Sequence, residues 1–258
     1  MNENENYLKN YNSISEDIRY AANSIIRLKI LAALYEKPQN VKELARNTNL
    51  NYSSISVTIH GLELKEFVHR ESNRYYLSNS IKIQMANVLE LKEVANILND
   101  FFNITDGHVI DMIPEDSVSE LFLLRNAELM ESGGVDAYKI NNHIVSVLKD
   151  AKEVRCIMPF YHVDFNKRFN SLIKKGRYVE VIVSDDVLGI YEKKSKIKYL
   201  SSFKFKNNFL LIVTDKAMIL GLFKDNGFFD QNRVLSSRSR DAILWANNLF
   251  KNFKKKNK

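Results

Sequence analysis

The stretch Asn51-Tyr52-Ser53-Ser54-Ile55-Ser56-Val57-Thr58-Ile59-His60 combines two residue types in a regular pattern. Ile55, Ile59 and Leu62 recur at spacings of four and three, which on a helix forms one apolar seam. Ser53, Ser54, Ser56, Val57 and His60 fall between them and face outward. They are small, or able to donate and accept hydrogen bonds. A helix face that is merely solvated usually carries Glu and Lys. Here the first two turns hold no acidic residue, and Glu63 and Glu66 come only towards the far end. Such a face fits the major groove of duplex DNA and can bond to base edges without repelling phosphates. Asn51 and Tyr52 at its start, with Arg70 and Arg74 beyond it, are expected to hold the phosphate backbone. Arg70 and Arg74 flank a turn at Ser72-Asn73, and Asn73 joins the expected DNA contacts.

The remaining chemistry-bearing residues are scattered. His60, His69, His108, His143 and His162 show neither metal-ligand spacing nor a cysteine cluster, so no metal and no cofactor is expected. No catalytic residues are expected either. The one cysteine, Cys156, sits in an apolar run and reads as a buried, inert thiol. No glycine-rich phosphate loop is present, and Gly133-Gly134 reads as a simple turn. One candidate effector pocket remains. In an open α/β sheet, ligands sit beyond the carboxyl ends of strands. Phe160, Tyr161 and Asp164 would follow one strand there, and Asp185 would follow the next, in a loop Ser184-Asp185-Asp186. Asn207, Asp230 and Asn232 would converge from the hairpin region. Aromatic walls with carboxylates and amides suit a polar small molecule, although the same residues are also ordinary loop constituents.

The elements that must position these residues can be read from periodicity. Asp17–Tyr35 has helical spacing with Ser15 as its cap, and Pro38 ends it. A short helix, Val41–Asn47, is followed by the turn Thr48–Asn51. There, Asn residues tolerate unusual backbone angles and cap helices. The helix from Tyr52 to about Glu66 comes next, and Phe67–Leu77 reads as two short strands. Three helices and a hairpin make a winged helix-turn-helix over 13–80. Ile81–Phe102 reads as one long helix of about 33 Å. It can pack inside its own subunit or pair with a second copy, and dimerisation is favoured because helix-turn-helix proteins usually read two half-sites about 34 Å apart. It forms a linker over 81–104. The rest, 105–258, alternates helices (Val135–Lys149, Asp164–Lys174, Ser239–Phe253) with strands (Glu153–Met158, Tyr178–Val183). A hairpin turns at Asp215-Lys216. The expected class is α+β overall, with a C-terminal α/β domain.

Lys and Arg number 38 against 31 Asp and Glu, a net charge of +7, which favours a polyanionic partner. Part of that excess is the tail Lys251, Lys254, Lys255, Lys256 and Lys258, a solvated end. A single cysteine fits a reducing compartment. No signal peptide or membrane-length apolar run is visible, so a cytoplasmic protein without membrane contact is expected.

Several stretches carry resemblances. Leu44-Ala45, Ser53-Ser54-Ile55-Ser56, Ile59, Leu62 and Phe67-Val68 resemble the ArsR-like branch of bacterial and archaeal regulators. The run Leu210–Gly221 resembles the strand pair of phospholipase D-like folds, whose active members place a His, a Lys and an Asp there. With the family glycine set on Gly221, those positions hold Asn207, Phe209 and Thr214. A shift of one residue recovers Asp215 but neither partner, so the resemblance implies a non-catalytic version. Nearly the whole chain resembles an archaeal family that joins an ArsR-like winged helix to a domain first described in a methanogenesis regulatory protein. That match rests on Asn49–Ser56, on Met158–Tyr161 with Asp164-Phe165-Asn166, and on Asp215 through Phe223 to Arg233. It implies a transcription regulator and supplies no ligand; with the helical and pocket readings above, the leading expectation is a homodimeric, effector-responsive regulator acting on double-stranded DNA. Two other readings stay open: a phospholipase D-like phosphodiesterase or nuclease, and a winged-helix interaction module that does not bind DNA.

Overall fold

Local sequence chemistry sets the first elements of the computed structural model, which describes residues 16–100, 107–204 and 209–256. Helix α1 (Glu16–Ala22) and helix α2 (Ile25–Glu36) stand where one helix was expected. The break falls at Asn23-Ser24, because Ser24 leaves helical geometry and its Oγ caps α2 by accepting from Arg27 N–H at 3.4 Å. Ser15, the expected cap, lies outside the described residues. Helix α3 (Val41–Thr48) opens with a reciprocal cap: Asn40 Oδ1 accepts from Glu43 N–H, and Glu43 Oε2 accepts from Asn40 N–H, both at 2.9 Å. It ends at Asn49 in the left-handed region, φ 56°. Helix α4 (Tyr52–Leu64) follows, then strands β1 (Val68–Glu71) and β2 (Arg74–Leu77), paired antiparallel around Ser72 at φ 55°. Ile30, Leu31, Leu44, Ile55, Ile59, Leu62, Phe67 and Val68 form their common core.

Helix α5 (Asn79–Asp100) is continuous through its described length, and the Phe101-Phe102 end expected for it lies outside the described residues. The chain divides into two units inside this helix, Met1–Lys92 and Glu93–Lys258.

The second unit begins with strand β3 (His108–Val109), helix α6 (Glu115–Ser119), a 3-10 turn (Leu121–Leu124) and strand β4 (Glu128–Glu131). Helix α7 (Lys139–Lys149), strand β5 (Glu153–Met158), helix α8 (Val163–Lys174), strand β6 (Tyr178–Ser184), helix α9 (Asp185–Lys194) and strand β7 (Tyr199–Phe203) follow. Strands β8 (Phe209–Thr214), β9 (Met218–Lys224) and β10 (Arg233–Ser237) and helix α10 (Arg240–Lys256) complete it. The sheet order is β4-β10-β9-β8-β5-β6-β7, with β3 added to β9. β5, β6 and β7 run parallel and the other pairs antiparallel. Alternate strand residues feed two layers. Ile157, Phe209, Leu211, Val213 and Leu220 pack under Trp245, Leu249, Phe250 and Phe253 of α10. Cys156, Met158, Leu210, Ile212 and Ile219 pack under Ile144 and Leu148 of α7 and Phe165 and Phe169 of α8. Burial on both faces explains why β8 and β9 read as unbroken apolar runs. Ser184-Asp185-Asp186 is not the loop the sequence suggested. Ser184 closes β6, and the two aspartates open α9, where the helix dipole favours negative charge.

Candidate nucleic-acid interface

Helix α4 separates its two residue types as its spacing requires. Ile55, Ile59 and Leu62 are buried against the body. Tyr52, Ser53, Ser56, Val57 and His60 are exposed and Ser54 is half-buried. Val57 stands 72% exposed, an apolar side chain at a solvated position. Asn51 caps the helix, its Oδ1 accepting from Ser54 N–H at 2.7 Å, so its side chain is already committed to the turn.

The hairpin beyond α4 presents His69 and Tyr76 on one side, stacked at 5.5 Å, and Arg70 with Tyr75 on the other. Arg70 is exposed and bonds Asn73 Oδ1 at 3.4 Å across the turn. Arg74, its counterpart in the sequence reading, is oriented differently. Its Nη1 donates to Pro38 O at 2.7 Å and its Nη2 to Glu43 Oε1 at 3.1 Å. Its guanidinium thus points back at the N-terminus of α3. The Glu43 carboxyl is held below its usual value, first by the Asn40 N–H it accepts and then by the charge of Arg74.

In the second unit, the strand directions bring the effector candidates to one end of the sheet. That end holds the carboxyl ends of β5, β6 and β9 and the start of β10. Phe160 and Phe229 meet there at 4.7 Å. The Tyr161 hydroxyl accepts from Asn166 Nδ2 at 3.2 Å. Asp164 pairs with Lys167 at 3.1 Å, and Asp185 is exposed on the first turn of α9. Asp230 turns inward: its buried carboxylate lies 3.0 Å from the Nε2 of buried His108 and accepts the Asn232 N–H at 3.0 Å. Asn232 itself is exposed, and Asn207 lies outside the described residues. A cleft of about 320 Å³ between α7 and α8 takes in Asp164 together with Asn141, Asn142, Val145, Lys167 and Arg168. None of those five was singled out in the sequence, because four are polar residues that read as an ordinary solvated helix face and Val145 reads as part of the apolar stripe of α7. Burial pushes the Cys156 thiol well up, away from thiolate chemistry. No group of three or more His, Cys, Asp or Glu able to hold a metal stands together among the described residues. No helix among them is long and apolar enough to cross a membrane.

Residues 15–96 match the model of the N-terminal domain of the methanogenesis regulatory protein FilR1, and residues 137–256 match that of its middle domain. A FilR1 from Methanothrix harundinacea (strain 6Ac) is 23% identical over 252 residues, which take in 90% of this chain and 55% of that protein. The chain therefore spans about half the length of the curated relative it matches. TrmBL2, an archaeal chromatin protein that binds DNA, aligns over 94% of this chain and 98% of its own with 12% identity and a TM-score of 0.40. CalO1, a methyltransferase of calicheamicin biosynthesis, aligns over 80% of this chain and 67% of its own with 10% identity and a TM-score of 0.22.

Proposed function

We propose, from the chain's membership of the FilR1 methanogenesis regulatory protein family, that it is a sequence-specific transcription regulator that binds duplex DNA as a homodimer. The observation that carries this reading is helix α4, with its buried Ile55/Ile59/Leu62 seam and an exposed, acid-free face of Tyr52, Ser53, Ser56, Val57 and His60. Ser53, Ser54, Ser56, Val57 and His60 read bases. Tyr52, Arg70 and Asn73 meet the backbone, and Asn51 sets the entry of the helix. The ArsR-like assignment belongs to this reading. So does dimerisation through α5, which is supported by exposed Ile83, Leu91 and Leu98.

The C-terminal sheet is a non-catalytic, phospholipase D-like regulatory domain, and the protein is not an enzyme. With the family glycine on Gly221, the chain holds Phe209 and Thr214 at two of the catalytic positions, and both are buried. A polar effector occupies the carboxyl end of the β5–β6 region beside Phe160, Tyr161, Asp164 and the α7–α8 cleft. Selection of the purified protein against a random duplex library tests the central reading. Enrichment of a two-fold motif with half-sites about 34 Å apart is expected. Enriched sequences without symmetry would remove the dimer, and no enrichment with or without cell extract would remove the regulator.

A further inference from the structure

Besides the apolar packing of Val68, Tyr75 and Leu77 in the common core, a set of polar contacts that includes Arg74 and Glu43 joins the hairpin to the rest of the first unit. Pro38-Gln39-Asn40 runs beside β2: Tyr75 N–H donates to Gln39 O at 2.8 Å, and Gln39 N–H donates to Tyr75 O at 3.3 Å. Gln39 is only 1% exposed, and both ends of its amide are used. Nε2 donates to Ala33 O and Oε1 accepts from Asn47 Nδ2, each at 2.6 Å. The Pro38–Asn40 segment is therefore tied to α2, α3 and β2 together. Arg74 adds a second tie from the turn end of β2, with one nitrogen on Pro38 O and another on Glu43 Oε1. Glu43 uses its other oxygen on the Asn40 N–H at the start of α3. A single carboxylate thus bridges the α3 cap and the hairpin.

We propose that Arg74 and Glu43 form a latch that positions the hairpin for DNA, and that Arg74 is a positioning residue and not a phosphate contact. This inference rests on the DNA-binding reading above. Arg74 spends two of its five N–H donors on Pro38 O and Glu43 Oε1, which aims its guanidinium at α3 and sets a carboxylate against its charge. Arg70, on the other strand of the same hairpin, instead meets only neutral groups in the hairpin itself: Asn73 Oδ1 at 3.4 Å and the Tyr75 ring. The latch also assigns a purpose to an acidic residue near an expected DNA surface, where a carboxylate would otherwise weaken binding.

The two roles make opposite predictions for Glu43→Gln. Glutamine can keep the reciprocal cap with Asn40 but loses the charge that holds Arg74. If Arg74 contacts phosphate, Glu43→Gln frees it, removes a repulsive charge and tightens DNA binding. If the latch is right, Glu43→Gln and Arg74→Ala each weaken binding by about two- to fivefold, the range of a partly exposed ion pair. The double variant then loses no more than either single one.

The slope of log K against log salt decides independently. Arg70→Ala is expected to reduce it by about 0.9, the share of one phosphate contact, while Arg74→Ala leaves it unchanged. Hydrogen exchange of the free protein reads the latch without DNA. The Tyr75 amide loses protection in both variants, and Arg74→Lys, with a single ammonium for two acceptors, retains part of it. Tighter binding by Glu43→Gln, or a slope lowered by Arg74→Ala, would overturn the latch alone. Wild-type protein that shows no salt-dependent DNA binding would overturn the DNA-binding reading, and the positioning role with it.

Discussion

Gly221 shows how much a single absent side chain can decide. A Cβ there would lie 2.8 Å from Cζ of Phe229 and 3.3 Å from Cγ1 of Val234. The Phe229 ring has little room to retreat, since Phe160 and Phe223 hold it at 4.7 and 5.5 Å. Gly221→Ala is expected to destabilise the second unit by about 1–3 kcal/mol, the usual cost of overpacking. Urea unfolding followed by Trp245 fluorescence measures it, because that tryptophan is fully buried against the other face of the same sheet and reports when the unit unfolds. Unchanged stability would mean that the three-ring cluster can give way at no cost. Glu43 carries a second prediction at this scale. Its folded pKa lies below its ordinary 4.5, so the stabilisation it brings is complete above that value and is lost as pH falls through the lower folded one. Protection of the Tyr75 amide, corrected for intrinsic exchange, should therefore drop on acidification in the wild type. Glu43→Gln should already lack that pH dependence. Neither Arg74 orientation nor the Asp230–His108 pair was legible in the sequence, because Pro38 is 36 residues from Arg74 and His108 is 122 from Asp230.

At the scale of elements, those with a strong period or a single apolar run were legible: α4, the hairpin, β5, β8 and β9. Those defined by tertiary pairing were not. β4, β7 and β10 are short strands, and only their places in the sheet give them structure. Helix α9 was missed because Asp185-Asp186 reads as a turn until its position at the start of a helix is known. The α1–α2 break was missed because apolar spacing runs on through Asn23-Ser24. Helix α5 shows a partial success of the same kind. Ile81 and Met85 of the expected apolar stripe are buried, whereas Leu91 stands 68% exposed. Leu91→Glu should leave the fold intact and, if α5 joins two copies, shift the protein from dimer to monomer by at least tenfold in dissociation constant. Sedimentation equilibrium reads that shift, and an unchanged dimer would exclude this helix as the joint.

At the scale of the whole molecule, the two units differ in how far apart in sequence their partners lie. In the first, β1 meets β2 across a two-residue turn and the helix caps close within three residues. In the second, edge strand β4 pairs, among the described residues, with β10 alone, and its ion pair Glu131–Arg233 joins positions 102 residues apart. Non-local closure is slow and keeps strand edges bare while it waits. During synthesis, β4 leaves the ribosome long before its partner exists, and β9 likewise lacks one neighbour until residue 233 has been added. A message cut short ahead of that point would yield a chain with its first unit finished and, in the second, β4 without the partner it has in the sheet and β9 bare along the edge that β10 covers, a natural substrate for chaperones and proteases.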